Sequence, residues 1–248
     1  MYADLYHKEM GYWWHRGKRW MLHEEIRAAV ERSAGRALVV DLGCGTGALI
    51  DEVNGYACGI GVDGVPEALE FCRKRGLLRL CAADLDTRHL PFSDKSVDVV
   101  VLADCLEHSK RDVALLRECA RILTDDGMLI VVVPAYQWLW SYWDVIVGHY
   151  RRYTWTMLRR AIADAGLVER RHTYLLMFLL PIAALWRAIR QAWFGQDAQE
   201  AASEFVALPG LVNDLLLRLY RLETRLSQYV SLPFGLSIMA VCAKGPLR

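Results

Sequence analysis

Five short runs rich in Val, Leu and Ile recur through the first half of the chain: Ala37–Asp41, Ala57–Val62, Leu78–Ala82, Val97–Leu102 and Met128–Val133. Runs this short and this continuously apolar read as strands covered on both faces, as parallel sheets require. Between them, Ala48–Val53, Pro66–Lys74 and Asp112–Leu123 have helical lengths, and Pro66 suits a first turn, where its missing N–H costs nothing. The alternation predicts an α/β fold with a doubly wound sheet. After a loop from Pro134 to Tyr153, Thr154 is placed to cap a helix that Gly166 ends. Two more strands are expected, Leu167–Tyr174 and Ser237–Ala243, separated by an apolar, helical insertion of roughly sixty residues, too long to be a mere connection.

Within the insertion, Tyr174–Trp186 is continuously apolar, but Arg187 and Arg190 follow before a bilayer could be crossed. Further on, Leu211, Leu215, Leu219, Leu222 and Leu226 share one helical face, with Arg218, Arg221 and Arg225 toward another. A lid, a homodimer surface and a peripheral membrane contact through residues 176–234 all fit that pattern.

At 248 residues and 54% hydrophobic composition, the chain suits one domain with a well-filled core. The organisation expected is an N-terminal helical cap (1–34), a core (35–175), the insertion (176–234) and a last strand (235–248). Seven cysteines without a C-x-x-C pair, and an N-terminus lacking an apolar signal core, suggest a cytoplasmic protein, with or without contact at a membrane surface. The net charge of +1 conceals a basic, apolar final hundred residues. That excess is too dispersed for a nucleic-acid stripe, so no nucleic-acid partner is expected.

The strand ending at Asp41 runs into Gly43, Gly45 and Gly47 and then a helix, a turn whose backbone a ligand can approach closely. Spacing alone also fits a dinucleotide fingerprint, because Gly43-x-Gly45-x-x-Ala48 is followed by Asp63 at the distance of a ribose-binding acid. An NAD(P)-binding oxidoreductase is therefore the rival. Against it, Asp41 and the third glycine suit a ligand with a charged amino-acid tail and no pyrophosphate. Asp84, after the third strand, can accept from an adenine amine.

Taken together, Val39-Val40-Asp41-Leu42-Gly43-Cys44-Gly45-Thr46-Gly47, Gly61-Val62-Asp63, Ala83-Asp84-Leu85 and Leu102-Ala103-Asp104-Cys105-Leu106-Glu107-His108 resemble the class I S-adenosylmethionine-dependent methyltransferases, in particular the small-molecule branch that includes ubiquinone-biosynthesis enzymes. The resemblance covers roughly residues 35–175. It implies a Rossmann-like seven-stranded sheet with the last strand antiparallel and S-adenosylmethionine as methyl donor. Asp63, with Gly64, would hold the ribose hydroxyls, Asp84 and Leu85 the adenine, and Asp41 with the glycines the methionine portion, Ala103 completing the set. Tyr12-Trp13-Trp14-His15-Arg16-Gly17-Lys18-Arg19 is similar to a segment of this branch in which Arg19 or Arg16 would meet the methionine carboxylate. Asp104, Glu107 and His108 resemble a cluster that ubiquinone-pathway relatives hold near a divalent metal; lacking a clear further ligand, no metal is expected here.

Methyl transfer from a sulfonium needs alignment and exclusion of water, plus a base where the acceptor is a hydroxyl. His149 and His108 are the candidates, each expected at the carboxyl ends of strands. Trp13, Tyr136, Tyr150, Arg151 and Arg152 are the expected acceptor-binding residues, the aromatics as apolar walls and the arginines as clamps for an anion. The expected reaction is methylation of a small or lipid-like acceptor, with hydroxyl oxygen favoured. A nucleoside-binding sensor or scaffold without catalysis is the alternative.

Overall fold

Successive residues of a strand face opposite sides of its sheet, and the valine-rich runs supply apolar side chains to both. In the computed structural model, which describes residues 1–31, 36–86, 89–185 and 208–245, strands β1 (Leu38–Leu42), β2 (Cys58–Asp63), β3 (Leu80–Ala82), β4 (Val97–Ala103), β5 (Leu123–Pro134), β6 (Leu167–Leu175) and β7 (Ser237–Lys244) form one sheet. The order is β3-β2-β1-β4-β5-β7-β6. β7 is antiparallel to β5 and β6, whereas the pairings among β1 to β5 are parallel. The Rossmann-like architecture with an antiparallel last strand is thus as expected.

Around the sheet lie α1 (Tyr2–Lys8), α2 (Trp13–Val30), α3 (Ala48–Val53), α4 (Pro66–Lys74), α5 (Asp112–Ile122), α6 (Tyr142–Ile146), α7 (Trp155–Asp164) and α8 (Gly210–Ser227). Val39, Val99, Val101, Ile130 and Val132 pack with Met21, Leu22 and Ile26 of α2 and Leu217 and Tyr220 of α8. Their neighbours Val40, Val100, Leu129, Val131 and Val133 pack instead with Leu115, Leu116 and Cys119 of α5 and Leu158 and Ile162 of α7. Thr154 caps α7 by accepting from the Met157 N–H, and Gly166 follows at φ 79°.

Two local expectations needed revision. β5 begins directly at Leu123 rather than at Met128, with a register irregularity opposite Val97/Val99. The loop after Pro134 contains a 3-10 turn, Gln137–Leu139, and α6. Arg187, Arg190 and the boundary expected between residues 34 and 35 lie outside the described residues. Among the described residues, no helix is long and apolar enough to cross a membrane.

Candidate active site

The turn after β1 is built by glycines at positive φ: 78° at Gly43, 54° at Gly45 and 82° at Gly47. At two of these a side chain is excluded twice over. A Cβ on Gly43 would stand 2.7 Å from the Cys105 Sγ, and one on Gly47 would stand 2.5 Å from a Leu77 methyl, besides the left-handed backbone itself. The Asp63 carboxylate, at the end of β2, accepts the N–H groups of Gly45 and Val65 at 2.9 Å each and so ties the loop to the next turn. Asp41 is 4% exposed. Burial, reinforced by the charge of Asp63, pushes its pKa up to about 7. From outside, α1 leads Glu9 onto the loop, where Thr46 and Arg75 both donate to the Glu9 carboxylate.

Beside this loop a cavity of about 1480 Å³ opens at the carboxyl ends of the strands, where ligands of open α/β sheets bind. It exceeds the usual 300–1,000 Å³ of roughly drug-sized sites, leaving room for two molecules. Asp41, Gly43, Gly45, Asp63, Leu85, Ala103 and Arg19 line its cofactor-like end, and His108, His149 and Arg152 the other. Gly47, Gly64 and Asp84 do not line it. Gly47 starts α3 from behind the loop, Gly64 backs onto the Ala83 carbonyl, and the exposed Asp84 carboxylate accepts the Asp86 N–H at 2.9 Å. Arg19 is largely committed already, donating to Glu52 at 2.9 Å and to the Glu9 carbonyl at 3.0 Å.

Four residues expected at the acceptor lie elsewhere. Trp13 is core, edge-on to Tyr220 across the α2–α8 contact. Tyr136 stacks between Trp138 and Tyr174. Tyr150 lies outward beneath Lys110, and Arg151 is spent on Asp112 at 2.6 Å. The aromatic wall comes instead from Tyr12, Trp14, Trp138, Trp140, Tyr142 and Trp143.

The loop from Pro134 to Thr154 is closed at its base by a parallel bridge, Ala135 with Tyr153. Its tip is organised by Asp144, which no sequence expectation included. Ser141 and Asp144 form a capping box at the start of α6, with the Ser141 N–H and hydroxyl donating to Asp144 at 2.7 and 2.9 Å. Arg152 donates to both carboxylate oxygens, at 2.8 and 3.0 Å, and His149 Nδ1 lies 2.8 Å from Oδ1. Burial alone would raise the Asp144 pKa, but the hydrogen bonds from His149 and Arg152 outweigh it and hold it far below the usual carboxylate range. An ionised carboxylate only accepts, so Nδ1 of His149 carries a proton toward Asp144. Ser141-x-x-Asp144 is the capping signature that would have revealed Asp144.

Nε2 of His149 lies 3.7 Å from the Glu107 carboxyl, and the ring is edge-on to His108 at 4.6 Å. Burial, then the neighbouring His149, lowers the His108 pKa to about 4, so its ring is neutral. Glu107 is fully buried; neither carboxyl oxygen has a hydrogen-bond partner among the described residues, and burial pushes its pKa up to about 8. Glu107, His108 and His149 each offer a ligand atom within 4.8 Å of the others, a set able to receive a cation. His149 is the third member of this set, distant from the other two in sequence, while Asp104 turns aside to pair with Lys18.

A methyltransferase-domain family model matches residues 40–131. The probable tRNA methyltransferase 9B of Homo sapiens is 30% identical over 114 residues, 44% of this chain and 24% of that protein. The ubiquinone biosynthesis O-methyltransferase of Neisseria meningitidis is 31% identical over 99 residues, 37% of this chain and 41% of that one. This chain therefore spans well under half the length of these curated relatives. A crystal structure of an S-adenosylmethionine-dependent methyltransferase from Archaeoglobus fulgidus shares the fold, with a TM-score of 0.54 at 18% identity, covering 91% of this chain and 94% of that one. The glycine turn, Asp63 and the strand order agree with these similarities: residues 40–131 are similar to the methyltransferase domain, and the chain shares the fold of S-adenosylmethionine-dependent methyltransferases.

Proposed function

We propose that the protein transfers the methyl group of S-adenosylmethionine to a small or lipid-like acceptor, with a hydroxyl oxygen as the preferred atom. The observation that carries this reading is a single cavity with the glycine turn, Asp41 and Asp63 at one end and His149, held by Asp144, at the other. In this reading Asp41 faces the donor's ammonium group, Asp63 uses its remaining lone pairs for the ribose hydroxyls, and Leu85 covers the adenine. The acceptor oxygen attacks the methyl carbon as the carbon–sulfur bond breaks. Its bonding pair stays on sulfur, giving neutral S-adenosylhomocysteine, and the hydroxyl proton passes to His149, whose imidazolium the Asp144 carboxylate stabilises. Arg152 is a positioning residue, because its guanidinium is spent holding Asp144. No step requires the cation that Glu107, His108 and His149 are able to receive.

The family match at residues 40–131 bears on the donor half, and the tRNA named for one relative leaves the acceptor of this chain open. Calorimetry with S-adenosylmethionine tests the donor, and Asp63→Ala should weaken binding by about 1.5–3 kcal/mol through loss of charge-assisted hydrogen bonds. No binding by the unaltered protein, or tight binding of a nicotinamide dinucleotide, would overturn the assignment. A donor that binds but never yields labelled methyl to any extract component would leave only a sensor or scaffold.

Asp41 adds a pH signature. Its acid form is favoured in the free protein below about pH 7, whereas pairing with an ammonium group needs the carboxylate, so binding must release that proton. Donor affinity should therefore fall by up to about tenfold per pH unit as pH drops below 7. Asp41→Asn should flatten that dependence. A wild-type affinity constant between pH 5.5 and 7.5, within about twofold, would remove Asp41 from the donor site.

A further inference from the structure

α8 is built the wrong way round for a helix facing water. Its inner face, with Leu217 and Tyr220 buried, packs on α2, where Gly17 lets the Tyr220 ring approach so closely that a Cβ would overlap it. Its outer face is also apolar: Leu211 is 87% exposed, Leu215 57%, Leu222 65% and Leu226 49%, and Tyr229 just beyond the helix is 86% exposed. At about 100° per residue these five fall within an arc of about 60°, so they form one stripe rather than a scatter. Arg218 and Arg225, both exposed, run along one border of that stripe. Arg221 belongs to the same border and lies with Arg225 against the Trp20 ring. The acid on that border, Asp214, stands 3.8 Å from Arg16.

We propose that the outer face of α8 docks on the surface of an anionic phospholipid bilayer, its leucines entering the headgroup boundary and Arg218 and Arg225 meeting lipid phosphates. Charge selects this occupant. A stripe of leucines edged by arginines suits a surface that is apolar below and negative above, and long arginine side chains reach upward to phosphate while their stems stay apolar. The helix lies along the surface and does not enter it end-on, because its inner face is occupied by the core.

Near its N-terminal end, α8 reaches the rim of the cavity through its inner face. Asn213 of α8 accepts the Trp13 N–H at 2.9 Å and donates to the Gly11 carbonyl at 3.2 Å, and Tyr12 between them lines the cavity. Ala183 also lines it, while its neighbours Ile182 and Leu185 are each 63% exposed. Around the mouth, Trp138 and Val145 line the cavity and remain 55% and 59% exposed. Resting on the methyl-transfer reading, this places the acceptor among molecules that partition into lipid.

The test is co-sedimentation of the full chain with vesicles of phosphatidylcholine and phosphatidylglycerol at about 7:3, against phosphatidylcholine alone, at low and high salt. Binding to the anionic vesicles is expected, weakened by salt as exposed charges are screened. Leu215→Glu with Leu222→Glu, and separately Arg218→Glu with Arg225→Glu, should each lower vesicle affinity about tenfold or more while circular dichroism and donor binding stay unchanged. Absence of vesicle binding, or binding indifferent to both pairs of substitutions, overturns the proposal. So does a dimer in light scattering that Leu222→Glu dissolves, which would assign the face to a second copy. Failure of donor binding in the unaltered protein would instead sink the methyl-transfer reading and leave the vesicle result standing.

Discussion

Replacing His149 by alanine is expected to lower turnover by about 10²- to 10⁴-fold, the range for losing a positioned general base, while the affinity for S-adenosylmethionine stays nearly intact. The separation follows from the geometry. His149 belongs to the loop after β5 and is held by Asp144 at 2.8 Å, whereas the donor end of the cavity is built from the turns after β1 and β2. Label transfer from S-adenosylmethionine into extract acceptors at saturating donor, with calorimetry alongside, reads both quantities. Unchanged turnover would move the proton elsewhere or make the acceptor an amine, which attacks without prior loss of a proton. A parallel loss of donor affinity would show that the substitution had disturbed the whole cavity.

The second large effect is on stability, at Gly235. A Cβ there would stand 2.2 Å from the Leu175 carbonyl oxygen, 2.8 Å from its carbon and 2.9 Å from its nitrogen. These are backbone atoms at the end of β6, and they cannot swing away as a side chain can. The neighbouring Leu236 donates to that same Leu175 oxygen at 2.8 Å and accepts from the Ala135 N–H at 2.9 Å, so the chain here stitches β6 to the end of β5 beside the cavity. Gly235→Ala should therefore cost about 3 kcal/mol or more, at the upper end of overpacking effects. That loss would lower the thermal midpoint by about 6–12 °C for a chain of this size. Gly210 is the comparison, since nothing lies within 4 Å of a Cβ there; Gly210→Ala should stay within about 0.5 kcal/mol of the unaltered protein. Equal midpoints for the two variants would mean that the β6 end can yield, contrary to the hydrogen bonding.

Both effects lie where the chain order says least. His149 was visible as a histidine in a loop at the right edge of the sheet, but Asp144, which sets its tautomer, was hidden inside what read as an unstructured connection. Glu107 was noticed only within a motif, and nothing in that motif records its buried, unpartnered carboxyl or the charges of Lys18, Asp144 and Arg152 that act on it.

Arg151 and Arg152 make the point most sharply. Adjacent and chemically identical, one turns to Asp112, and the other, on the cavity wall, turns to Asp144. Trp13 and Trp14 divide likewise, one into the core against Tyr220 and the other onto the cavity.

The sequence by itself determined the strands, the helices between them and the glycine turn, because hydrophobic period and left-handed backbone are local properties written in residue type. From those, with Asp63, came the resemblance to the methyltransferases and the donor it implies. Only the tertiary structure decided which polar and aromatic side chains face the cavity, that Arg19 is tied to Glu52 and that Asp84 turns to its own backbone. It also decided that the leucines of α8 point outward, since Tyr220 and Leu217 take the place against α2. A side chain's direction in an irregular loop, or on a helix apolar on two faces, is set by partners distant in the chain, and no local pattern records them.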